Sequence, residues 1–375
     1  MLSRIRSQQS ARSAYQCSIS TSLVCAAALL SLAIAGCSSK SEEAGTKSPA
    51  TSGQQAETPA PSTDNFRVAL VMSGPKSDNG WNSSAAKALD AVQKELGLSA
   101  DAVKSVDNQT DPTSQEKSLQ DFASKKFTIV FGHGTEYETP ALKIEANFPN
   151  TLFVISSGSK VGKNTMPIVF KLEDGAYLEG MLAAGMSKTG KIGSVGAIKE
   201  AAVEHVFAAF EKGAKTVNPK IEVIPPTYTG SWDDVTKAKQ QTLALLNQGA
   251  DVIMQDVDSA AQGVFNAVQE FNKGGKQAWA LGTNGDQNAS APDVILASAP
   301  IYTDKAFVAI AKAAKAGTLK ANDTPFGMKD GIIDFIINPA LQAKITAVNP
   351  MLLADLDKTK KGISDGSIDI TKANP

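Results

Sequence analysis

From residue 66 onward the apolar positions alternate between short continuous runs and helical stripes. Residues 66–72 form the first run and lead into a loop of Ser, Gly, Pro, Asp and Asn that cannot extend a sheet. A helix is expected from Asn82, because Ala85, Leu89, Val92 and Leu96 fall on one helical face. Further strands are expected at 127–131, 152–155 and 168–170, with helical segments around Leu119, Phe122 and Leu142 between them. A second set follows, with helices at 174–188, 203–216, 233–247 and 260–273 and strands at 191–197, 221–224, 252–254 and 278–281. Such alternation builds parallel, doubly wound α/β layers. The body from 66 to 375 is too long for one ordinary core and suits two lobes. The strand 294–299, the helix 303–316 and the strand 332–337 are left over and are expected to cross between the lobes. On this parse residues 66–172 and 300–331 make an N-terminal lobe, and residues 173–299 and 332–375 a C-terminal lobe.

The chain before residue 66 follows other rules. Arg4, Arg6 and Arg12 precede an apolar run at 23–34, and Ile34-Ala35-Gly36-Cys37 follows it as a lipobox. About a dozen apolar residues are too few for a bilayer that needs roughly twenty, so residues 1–36 are expected to be a lipoprotein signal peptide cleaved before Cys37. Cys37 is then the lipidation site, and residues 37–65, rich in Ser, Thr, Ala, Pro and Gly, form a disordered tether. All three cysteines lie at or before position 37, so no disulfide framework is available to the body. Losing the leader removes three arginines and no acid, taking the formal charge from −1 to −4, which argues against nucleic acid as a partner.

Candidate chemistry gathers where strands end. Ser73, Asp78, Trp81 and Asn82 follow the first run, at the kind of strand-loop-helix corner where open α/β sheets bind small molecules. His133 and Gly134 follow the strand at 127–131, Asp256 and Asp258 the strand at 252–254, and Asn284 and Asp286 the strand at 278–281. Trp232 occupies a similar turn in the second set. Two indoles on facing lobes make a clamp for a flat heteroaromatic ring, each stack contributing about 1–3 kcal/mol, although a tryptophan plugged into the core fits the same pattern. Each aspartate also reads as a helix N-cap. Only two histidines occur, His133 and His205, and no GxSxG, HExxH or Walker sequence appears, so nucleophilic and zinc chemistry are disfavoured. The glycines of Gly190-Lys191-Ile192-Gly193-Ser194-Val195-Gly196 straddle a strand and miss the dinucleotide fingerprint. Acid-base hydrolysis by a pair such as Asp78 and Asp258 is the minority reading.

These residues resemble the basic membrane protein family of bacterial lipoproteins, similar to the PnrA-type purine nucleoside receptors of ABC importers. The landmarks are Asp78-Asn79-Gly80-Trp81-Asn82, Val130-Phe131-Gly132-His133-Gly134, Glu173-Asp174-Gly175-Ala176-Tyr177-Leu178-Glu179-Gly180 and Asn247-Gln248-Gly249-Ala250-Asp251. The resemblance implies a type I periplasmic-binding-protein fold, two lobes joined by a three-crossing hinge and closing on ligand. It puts the stacking aromatics on Trp81 and Trp232, and the corner's polar groups on Asp78 and Asn82, as ligand contacts or as braces of the loop. The family's ribose-gripping aspartate falls on Asn284, and its basic partner falls near Ile301 and is absent, which weakens the ribose grip and leaves a purine nucleoside or a free purine base as the expected ligand. The implied partners are that ligand, an ABC permease and, through Cys37, the extracytoplasmic face of a membrane. Neither cofactor nor metal is expected, the chain is expected to act as a monomer, and it is read as a receptor and not an enzyme. A sensor for the same ligand and a base-releasing hydrolase are the alternatives.

Overall fold

Period-two burial organises the molecule. In β1 (Val68–Met72) the side chains of Val68, Leu70 and Met72 enter one apolar cluster, while Ala69 and Val71 enter another on the opposite face. A strand covered on both sides reads as an uninterrupted apolar run, as parallel strands do. The computed structural model describes residues 65–372 apart from 79 and 320–323, so the expected leader, Cys37 and all but the last residue of the tether lie outside the described residues.

The chain continues through α1 (Trp81–Leu96), β2 (Val103–Val106), α2 (Pro112–Ser124), β3 (Ile129–His133), α3 (Glu138–Ile144), β4 (Leu152–Ser156) and β5 (Thr165–Phe170). Next come α4 (Glu173–Met186), β6 (Lys191–Gly196), α5 (Ala201–Val217), β7 (Glu222–Val223), β8 (Thr227–Tyr228), α6 (Val235–Asn247), β9 (Val252–Asp256) and α7 (Ala261–Lys273). It closes with β10 (Trp279–Asn284), β11 (Ile295–Pro300), α8 (Thr303–Lys315), β12 (Thr324–Phe326), β13 (Ile336–Ile337), α9 (Gln342–Val348) and α10 (Leu352–Asp365).

Two sheets result. The first has strand order β12-β5-β4-β3-β1-β2 and is wholly parallel; the second runs β13-β11-β10-β9-β6-β7, with β8 also paired to β6 and β13 alone antiparallel. This is the type I periplasmic-binding-protein architecture. Of the three leftover elements, β11 and the short β13 belong to the second sheet, while α8 packs on α1 beside the first. The expected strand at 332–337 shrinks to Ile336–Ile337 plus a single bridge from Ile333 to Ile301. Edge strands β2, β8 and β12 carry too little apolar signal to be read from the pattern.

The chain passes between the sheets three times, and the passages are tied to one another. Lys171 N–H donates to Phe326 O at 2.8 Å, and Met328 N–H donates to the Asp174 carboxylate at 2.9 Å. Tyr302 N–H donates to Ile332 O at 2.7 Å, and Asp334 N–H to Pro300 O at 3.1 Å.

Beneath the second sheet α4 crosses α5 almost backbone to backbone. A Cβ on Gly180 would lie 1.9 Å from Phe210 O, and one on Gly213 would lie 1.9 Å from Tyr177 O. Only glycine permits that approach. Register then brings strand ends level: Met72 pairs with His133 and His133 with Ser156 in the first sheet, and Gly196 with Asp256 in the second. The loops after β1, β9 and β10 line one cleft.

Candidate functional site

The first-sheet corner is built around Asp78. One carboxylate oxygen accepts the backbone N–H groups of Gly80 (2.9 Å) and Ser83 (2.8 Å). The other accepts the backbone N–H and the side-chain amide of Asn82, each at 2.8 Å. The N-terminal amides of α1, which have no partner within the helix, are met in this way. Asn82, buried, also accepts from Gly74 N–H at 3.3 Å. Both residues brace the loop.

Trp81 opens α1 and lays its indole on His133, with ring centroids 4.0 Å apart at 21°. Phe170 meets the same indole edge-on at 5.9 Å. His133 is fully buried; its Nε2 faces Trp81 O at 3.1 Å and its Nδ1 faces Ser156 Oγ at 2.9 Å. Burial pushes the imidazole down to about 3, against the opposing pull of the Trp81 carbonyl and the Asp78 charge, so it is neutral. A carbonyl only accepts, so the proton sits on Nε2 and Nδ1 accepts from the serine. Gly134 holds φ 142°, where a Cβ would meet the Glu136 carboxylate; burial raises that carboxylate's pKa, and neighbouring Ser73 pulls it back.

Across the cleft the second sheet presents Asp256, Asp258 and Asn284. The Asn284 side-chain amide is shared between Asp256 Oδ1 at 3.2 Å and Asp258 Oδ1 at 3.3 Å. Asp258 and Asn284 both adopt left-handed backbone, φ 47° and 62°, a conformation uncommon outside glycine and frequent at functional sites. Burial raises Asp258 to about 7, with the charges of Asp256 and Asp78 adding to it; the Asn284 amide and the Trp81 backbone N–H pull the other way. Burial also raises Asp256 to about 6, partly offset by the Asn284 amide and reinforced by Glu200.

Asp258 is where the two tryptophan-bearing loops meet. Its Oδ1 lies 3.0 Å from the position a Gly80 Cβ would take, next to Trp81. Two residues on, Ala260 N–H donates to Trp232 O at 3.1 Å, and Ser259 Oγ–H donates to the same carbonyl at 3.4 Å. Among the described residues no ring contact joins the two indoles; the ring partners of Trp81 are His133 and Phe170. The open cleft has a volume of about 750 Å³ and is lined by Asp78, Gly80, Asp258, Asn284, Asp286 and Tyr302, among others. That is the size of a small-molecule site. Four of the expected residues, Asp78, Asp258, Asn284 and Asp286, thus share one cleft, with Asp286 exposed and holding Asn288 N–H at 3.1 Å. Ser73, Trp81, Asn82, His133, Gly134 and Trp232 are not among its lining residues, and both indoles pack partly buried against the core.

Residues 66–365 match the family described as ABC transporter substrate-binding protein PnrA-like. The chain belongs to this family. Among relatives of the PnrA-like family, the purine-binding protein BAB2_0673 of Brucella abortus is 29% identical over 72% of this chain and 75% of its own length. The transcriptional activator protein med of Bacillus subtilis is 28% identical over 72% and 81%. A solute-binding protein of an ABC transporter system from Aeropyrum pernix superposes with a TM-score of 0.69 at 21% identity, over 83% of this chain and 94% of that one. The PnrA-like family is one of solute-binding proteins and not of enzymes.

One residue escaped the strand-end search. Glu179 of α4 is fully buried, and neither carboxylate oxygen has a hydrogen-bond partner. Burial, with the Asp256 charge added, raises it well above the usual carboxylate range. Its signal was present in the pattern: a lone acid inside the apolar stretch Tyr177-Leu178-Glu179-Gly180-Met181-Leu182. It lines a chamber of about 10 Å³ together with Asp256, Thr283 and Asn284. Among the described residues no helix is long and apolar enough to cross a membrane.

Proposed function

We propose that this substrate-binding protein is a membrane-anchored receptor that takes up a purine-type ligand between its two sheet layers and hands it to an ABC permease. The observation that carries the reading is the convergence of the Trp81 and Trp232 loops, from different sheets, on Asp258. Ligand binding would exchange the indole's contact with His133, or extend it, and closure would bring the second tryptophan loop against the same ring. The Brucella relative, named as a purine-binding protein, supports the same ligand class. The free base is favoured over the nucleoside, because Asn284 stands where the resemblance puts a ribose-gripping aspartate, and its amide is already engaged with two acids. Cys37 is the proposed lipid anchor, on the extracytoplasmic face of the membrane, with 38–65 as tether.

Calorimetric titration of the purified protein with adenine, guanine, adenosine, guanosine and inosine tests this. Heat is expected from at least one base, with nucleosides weaker; no heat from any of the five would overturn it. A ligand sensor is the second reading, favoured by the Bacillus relative named as a transcriptional activator. A permease gene beside this one would support the importer.

A further inference from the structure

Donors are scarce around the three acids of the cleft floor. Glu179, Asp256 and Asp258 offer six side-chain oxygens, and the hydrogen bonds reaching them from side chains come from one amide group, Asn284 Nδ2, at 3.2 and 3.3 Å. Glu179 has zero accessible surface and accepts nothing. The nearby Thr283 hydroxyl is committed to Gln255 O at 2.9 Å. None of the ion pairs among the described residues involves any of the three, and no cation is among the causes that move them. Nor are they grouped so as to hold a metal ion. A buried carboxylate without donors costs free energy, which protonation or a donor partner recovers.

The three acids form one site on two levels. Asn284 lines both the cleft and the small chamber beneath it, so its amide is the partition between Asp258 above and Asp256 with Glu179 below. The chamber is about one water in size, so a water can serve Glu179 there, while Asp258 lies outside it with the shared Asn284 amide and the Trp81 N–H beside it. Further donors for Asp258 can arrive with the ligand. A carboxylate is acceptor-only and takes two parallel N–H groups best, as it does from a guanidinium.

We propose that the cleft recognises its ligand through an amidine- or guanidine-type edge, two N–H donors side by side, presented to the carboxylate of Asp258, with Asp256 and Glu179 behind it as the acids that reinforce its demand for donors. The inference rests on the small-molecule reading above and narrows it. Among purine bases, guanine carries such an edge in its ring N–H and adjacent amino group, and hypoxanthine lacks the amino half. With Asp258 beside Gly80 and Trp81, ring face and donor edge are read at one corner of the cleft.

The test is calorimetric titration of the purified protein at neutral pH with guanine, hypoxanthine and benzamidine, repeated on Asp258→Asn and Glu179→Gln with cooperative thermal unfolding as the folding control. Guanine is expected to bind at least tenfold more tightly than hypoxanthine, and Asp258→Asn to reduce that ratio below threefold. Glu179→Gln keeps the helix intact and is expected to reduce it as well, which preserves the test should the first variant not fold. Equal binding of both bases by the unaltered protein would overturn the edge and leave the purine reading standing. Benzamidine binding without either base or any of the five ligands of the earlier titration would support the edge and overturn the purine reading. Silence from all three probes would overturn the edge, and the purine reading would then stand or fall on the titration with adenine and the nucleosides.

Discussion

Asp78 and Asp258 are the same residue type in the same setting, a loop after the carboxyl end of a parallel strand, and both line the cleft. Asp78 receives four donors at 2.8–2.9 Å, all supplied by the next five residues of its own chain. Asp258 receives a shared amide at 3.3 Å from another strand. The difference lies in the few residues that succeed each acid along the chain. After Asp78 the helix α1 begins with its free amides turned back toward the loop. After Asp258 the chain makes a short 3-10 turn at Asp258–Ala260 with no side-chain cap, entered from strained backbone. An acid that its own chain satisfies is architecture; an acid left short of donors is available for recognition.

Removing each acid is the sharpest way to break the comparison. Asp78→Ala should cost about 3 kcal/mol of unfolding free energy, because it strands several helix-start amides at once. Denaturant titration reads it, and a loss under about 1 kcal/mol would mean the loop is held by something else. Second, the unliganded protein should lose on the order of 2 kcal/mol between pH 5 and pH 8 from the cleft acids. The sign follows from direction: Asp256 and Asp258 are raised to about 6 and about 7 in the folded state, so their contribution is complete at low pH and disappears as pH climbs through those values. Glu179 is shifted the same way, and Glu200 and Asp78 are the neighbouring charges that add to the effect. Melting temperature against pH measures it, and Asp258→Asn should flatten the slope. Third, Trp81→Ala and Trp232→Ala should each weaken ligand binding at least tenfold, about 1.4 kcal/mol. Unchanged affinity in both would return the indoles to the core. The smallest effect belongs to Asp286→Ala: exposed and bonded only to a nearby backbone N–H, it should alter affinity less than threefold in the same titration.

Much of the fold was legible because parallel strands buried on both faces leave continuous apolar runs, as at 66–72 and 252–254. Boundaries slipped where a polar residue is buried at a strand end: β3 runs on to His133, which the pattern assigns to a loop. Strand β2, Val-Lys-Ser-Val and half exposed, has no period to read. Helix α10 did carry a stripe in Leu352, Leu356 and Ile363, but nothing in its local sequence ties it to α4. At the site, position after a strand end was enough to single out the cleft aspartates and Asn284. Their contacts were not legible. That Asp78 is saturated, that Trp81 rests on His133 and that Glu179 lies beneath Asp256 are facts of three-dimensional juxtaposition.

The close crossing of α4 and α5 bears on how such a ligand is found. Gly180 follows Glu179 directly, and with Phe210 O against it the helix has no room to roll and turn the acid outward. The empty protein therefore cannot relieve its deepest carboxyl by rearrangement, and any compound that supplies the missing donors should raise the melting temperature with the logarithm of its concentration over its Kd. A thermal-shift screen of metabolites makes the protein a reporter of its own cargo.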